Sequence, residues 1–88
     1  MTDPRTAADL TVPSDLAEVR RVQDDIESAL QAHMFGESDL FAVKLAVEEA
    51  LVNAIKHGNQ MDPAKCVRVW YCITGDRFEI RITDEGPG

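Results

Sequence analysis

The sequence predicts an α+β fold: a two-layer sandwich in the order β-α-α-β-β, with both helices on one face of an antiparallel sheet. Three observations predict it. Apolar residues recur at helical spacing in two consecutive stretches between residues 14 and 58. Two runs rich in β-branched and aromatic residues follow, separated only by Gly75-Asp76. A short alternating segment before the helices supplies a third strand. The 88 residues suffice for one domain.

In order, residues 1–8 read as a loose tail, and residues 9–88 as the domain. Asp9-Leu10-Thr11-Val12 alternates and is a strand ended by Pro13. Ser14 is the expected N-cap of the first helix, with Asp15, Ala17 and Glu18 in its first turn. Leu16, Val19, Val22, Ile26, Ala29 and Leu30 form its apolar stripe, and it should stop near Gly36. Ser38 is the expected cap of the second helix. Its stripe is Leu40, Val43, Val47, Leu51 and Ala54, and its end is His57-Gly58-Asn59. Gly58 there suits the left-handed position that follows a helix. Residues 65–74 and 77–83 are the hairpin strands, and Asp84-Glu85-Gly86-Pro87-Gly88 leaves the second as a glycine-rich turn.

Charge and composition exclude several classes. Net charge is −7, from 16 acids and 9 bases, which argues against nucleic acid or an anionic membrane as the main partner. No apolar run approaches the ~20 residues that span a bilayer. Nor does an apolar stretch follow Met1-Thr2-Asp3-Pro4-Arg5, as a signal peptide would require, so the expected compartment is the cytoplasm. Cys66 and Cys72 fall in one strand, six residues apart. At ~3.3 Å per residue that is ~20 Å, well beyond the ~7 Å reach of a disulfide. There is no CxxC and no Cys/His cluster for zinc.

Two motifs carry chemistry. In the first, Glu49 and Asn53 are four apart and stack on one helix face. An amide oxygen is a hard, neutral ligand for magnesium, and a carboxylate one turn away can deprotonate a hydroxyl. The bland alternative is a solvated polar face with a Glu–Asn hydrogen bond. Glu48 lies about 100° around the helix from Glu49 and cannot share the Asn53 face. Lys56 and His57 sit in the last turn, where the helix dipole favours a cation, or face a ligand beside Asn53. In the second motif, Phe78, Ile80 and Ile82 share one face of their strand, and Asp84 continues their parity. A carboxylate aimed under the helices needs a donor, and an adenine amino group is one. The glycines would let backbone approach a ligand. The bland alternative is a polar turn that begins at an aspartate.

At these residues the sequence resembles the GHKL (Bergerat-fold) ATPase superfamily and, within it, the anti-sigma-factor serine/threonine kinases. VEEALVNAIKHGN, residues 47–59, resembles the N box, and ITDEGPG, residues 82–88, resembles the first glycine box. The resemblance implies ATP and Mg2+ as cofactors. It implies Glu49 as general base, Asn53 as magnesium ligand, and Asp84 as hydrogen-bond partner of the adenine amino group. Gly86 and Gly88 would shape the pocket, while His57 and Gly58 match the end of the N box. The implied activity is phosphorylation of a serine on an anti-anti-sigma (STAS-type) protein, with a sigma factor as second partner.

The family's second glycine box, its phosphate lid and a further helix and strands find no counterpart in these 88 residues. The expectation is therefore a fragment that binds ATP weakly or not at all by itself. Its open sheet edge would invite a homodimer. Two other readings remain: the ATP-binding half of a sensor histidine kinase, and a non-catalytic module that sequesters a sigma factor or other partner.

Overall fold

In the computed structural model, residues 6–86 are described. The elements are β1 (Thr6–Pro13), α1 (Ala17–Ala32), α2 (Glu37–Asn53) continued by a π-helical turn (Ala54–Gly58), β2 (Cys66–Thr74) and β3 (Arg77–Thr83). The predicted order β-α-α-β-β and the α+β class are both present. The sheet runs β1-β2-β3, antiparallel throughout, with β2 central. Leu10 pairs with Val69, which pairs with Ile82 across the sheet.

Alternation on β2 sends Val67, Val69, Tyr71 and Ile73 into the core. There they meet Val19, Val22, Ile26 and Leu30 of α1 and Leu40, Val47 and Leu51 of α2. The two helices are also joined at the surface. Gln23 donates to the Lys44 carbonyl at 2.9 Å, and Lys44 pairs with Glu27 at 3.3 Å. Tyr71, buried in the sheet, donates its hydroxyl to Asp25 of α1 at 2.7 Å.

Four local expectations are corrected. First, β1 begins at Thr6, so residues 6–8, read as tail, pair with Ile73, Cys72 and Tyr71 of β2. Second, Ser14 does not cap α1. It is buried and donates to the Lys65 carbonyl at 2.8 Å, while Asp15 accepts from the Ala17 amide at 2.9 Å. Third, Ser38 lies inside α2, whose N-cap is Gly36. Fourth, Gly58 is not left-handed. The helix widens into a π turn closed by the Asn59 amide on the Ala54 carbonyl at 2.8 Å, and Gln60 and Met61 take the positive φ values, 54° and 60°.

Gly75-Asp76 forms the expected two-residue hairpin, with Thr74 opposite Arg77. Gly75 has φ 59°, the conformation a II′ turn requires at its first central residue. Both cysteines lie on β2 as free thiols. Among the described residues no helix is long and apolar enough to cross a membrane.

The helix layer is unevenly covered. α2 exposes Phe41 and Leu45. Beside its Ala42, Ala46 and Ala50, an open apolar groove of about 390 Å³ runs to Phe78, Ile80 and Ile82 of β3. β3 is also an edge strand, as expected.

Candidate functional site

The C-terminal end of the α2 helix, the start of β2 and the exit of β3 meet at one end of the molecule. Glu49 and Asn53 are on α2, one turn apart and both exposed. His57 and Lys56 are exposed on the π turn. Gly58 closes that turn and is half-buried.

Asp84 follows the last pair of the β2–β3 ladder, Arg68 with Thr83. Its carboxylate lies directly over Gly58. A Cβ at Gly58 would overlap the Asp84 carboxyl group, so only glycine permits this approach. The residue remains solvent-exposed on its other side. Gly86 has φ 71°, a left-handed conformation that favours glycine, and the Asp84 Oδ1 lies 3.8 Å from where its Cβ would be. The structure thus brings Asp84, Gly58 and Gly86 together at the end of the helix that carries Glu49 and Asn53. Gly88 lies outside the described residues.

The turn after β3 is fastened at several points. Asn59, fully buried, accepts from the Glu85 amide at 2.8 Å and the Gly86 amide at 3.2 Å. Its side-chain amide donates to Ser14 Oγ at 2.8 Å and to the Cys66 carbonyl at 3.0 Å. Lys65 Nζ donates to the Gly86 carbonyl, and the Cys66 amide to the Glu85 carboxylate. Sequence reasoning assigned nothing to Asn59, because an asparagine after a glycine at a helix end reads as a surface cap. Its partners at Ser14 and Glu85, 45 and 26 residues away, carry no local signal.

The sequence profile of the histidine kinase-like ATPase domain matches residues 12–88. The chain belongs to that family. This histidine kinase-like ATPase domain is similar to an anti-sigma F factor of Clostridium perfringens, 40% identical over 50 residues. The match covers 57% of this chain and 36% of that protein. It is also similar to an anti-sigma F factor of Anoxybacillus flavithermus, 38% identical over 50 residues, covering 57% of this chain and 34% of that protein. The match thus spans about a third of the length of these relatives. The recognised N-box and glycine-box stretches both fall within the residues that the family profile matches.

Proposed function

We propose that this domain binds ATP as part of an anti-sigma regulator and that the whole protein is a serine/threonine kinase of its anti-anti-sigma partner. One observation carries the reading: the Asp84 carboxylate is seated against Gly58, where the helix bearing Glu49 and Asn53 ends. An exposed carboxylate held by backbone at the rim of a helix end can accept a hydrogen bond from an adenine amino group. The phosphates then lie toward Asn53 and Glu49, with Gly86 shaping the approach. His57 stands beside them, exposed on the π turn. The similarity to anti-sigma F factors supports a sigma factor and an anti-anti-sigma protein as partners. The free edge of β3 supports pairing with a second copy. A cytoplasmic location follows from such partners.

In the proposed reaction a serine hydroxyl of the partner attacks the γ-phosphorus of ATP. The new O–P bond forms as the bond to the β–γ bridging oxygen breaks, and ADP leaves. Glu49 accepts the hydroxyl proton. Among the described residues no group of three or more His, Cys, Asp or Glu side chains could cage a metal. The Asn53 amide oxygen, exposed on α2, is a hard, neutral donor of the kind that would hold magnesium. When bound there it would offset the charge on the phosphates.

Glu49→Ala in the full-length protein is the test. It should retain ATP binding and lose phosphate transfer to the partner's serine. Loss of binding together with transfer would remove the base role. The exposed apolar groove beside α2 favours a second reading, partner sequestration without ATP chemistry. Melting temperature with and without Mg-ATP separates the two. A shift abolished by Asn53→Ala supports the nucleotide reading, and no shift supports sequestration.

A further inference from the structure

Asn59 is fully buried, yet every hydrogen-bonding position of its amide is used. An asparagine side chain offers two N–H donors and one carbonyl oxygen with two lone pairs. Here the donors go to Ser14 Oγ and the Cys66 carbonyl, and the oxygen takes the amides of Glu85 and Gly86. The orientation is unambiguous, because backbone amides only donate and a backbone carbonyl only accepts. Four passages of the chain are thereby pinned to one side chain: the β1–α1 junction, the π turn, the start of β2 and the turn after β3.

The π turn is what delivers Asn59 to this place. Its backbone amide reaches the Ala54 carbonyl, and the widened turn leaves Gly58 facing the Asp84 carboxylate. Asp84 itself is held from both sides. Thr83 before it is the last residue of the ladder, and the Glu85 amide after it is bound by Asn59.

We propose that Asn59 and Gly58 form a positioning pair that aims the Asp84 carboxylate and so sets the base specificity of the site. Asn59 fixes the backbone on the far side of Asp84, and Gly58 supplies the space its carboxyl group occupies. This inference rests on the nucleotide reading above. Asn59 is not a catalytic residue. It is enclosed among protein groups and acts through the turn. Serine would be too short to span these partners, and aspartate would keep the acceptors while losing both donors. A hydrogen bond to a base edge demands placement within about 0.5 Å, which explains so complete a set of anchors behind one exposed acid.

The test compares ATP with inosine triphosphate, which has an oxo group in place of the amino group, in the full-length protein. Wild type should bind ATP about tenfold more tightly, the worth of one good hydrogen bond. Asn59→Ala should lower ATP affinity by about the same factor and leave inosine triphosphate binding unchanged, erasing the preference. The Glu85 and Gly86 amides should exchange with solvent at least about tenfold faster in that variant. Gly58→Ala should erase the preference while both amides stay protected, and it serves if Asn59→Ala does not fold. Gly75→Ala, at the far hairpin and outside this network, is the control: it loosens the fold but keeps both the preference and the protection. A folded Asn59→Ala or Gly58→Ala that still prefers ATP overturns the positioning role. Unchanged amide exchange in Asn59→Ala overturns the clamp, whatever the nucleotide result. Absence of any preference in wild type counts against the adenine reading itself, and amide exchange then decides the clamp alone.

Discussion

The two ends of the sheet solve the same problem, reversing or releasing a strand, by different means. At the hairpin end, β2 turns into β3 through Gly75 and Asp76, both exposed. A single glycine with φ 59° is enough there, and the nearby hydrogen bond between Thr6 and His33 is only partly buried. At the opposite end, β1 leaves, β2 enters, β3 leaves and the helix layer terminates. That end is organised by a buried amide with four partners. Burying a polar group is unfavourable unless it is fully hydrogen-bonded, and a fully bonded one holds its partners in a unique arrangement. The contrast teaches where position matters. The end that needs only a turn uses a conformational preference, and the end that carries Asp84 uses a closed polar network.

The largest expected effect is at Asn59. Asn59→Ala leaves the amides of Glu85 and Gly86 without their acceptor, and Ser14 and the Cys66 carbonyl without a donor. It should destabilise the fold by about 3 kcal/mol in urea titration. A loss under about 1 kcal/mol would mean that water replaces the amide and that the two ends do not differ in kind. Next is Gly75→Ala at the hairpin, expected to lose about 1–2 kcal/mol because a Cβ is disfavoured at φ 59°. A Gly75→Ala loss equal to that of Asn59→Ala would erase the comparison.

The smallest effect belongs to neither end but to the middle of the sheet, and it appears only in alkali. Burial, together with the hydrogen bond to Asp25 and the charge of that carboxylate, pushes the Tyr71 phenol well above its ordinary value. The folded state thus holds this proton more tightly than the unfolded chain. The associated stability is complete below the unfolded tyrosine pKa of about 10 and is lost as pH rises above it. Melting curves between about pH 9 and 11 should therefore fall more steeply for wild type than for Tyr71→Phe. Parallel slopes would remove Tyr71 as the linked group.

Much of this was legible in the sequence. The helical stripes are buried nearly as spaced: Val19, Val22, Ile26 and Leu30 on α1, and Leu40, Val47 and Leu51 on α2. Strand parity aimed Asp84 under the helices and away from water; its carboxylate reaches Gly58, but the residue stays exposed to solvent. The caps were less legible. Ser14 and Ser38 both carry a capping hydroxyl, but Ser14 is drawn into the core by Lys65 and Asn59, and α2 starts before Ser38. Residues 6–8 are Thr-Ala-Ala, with one β former followed by two alanines, and they are strand because the long β2 pairs with them.

By itself the sequence determined the element order, the apolar faces, the hairpin at Gly75 and the two motifs that mark the family, because each is written in neighbouring residues. Tertiary structure decided the π turn, the reason for glycine at position 58 and the role of Asn59. Those depend on partners from 26 to 45 residues away, whose hydrogen bonds and collisions exist only once the chain has folded.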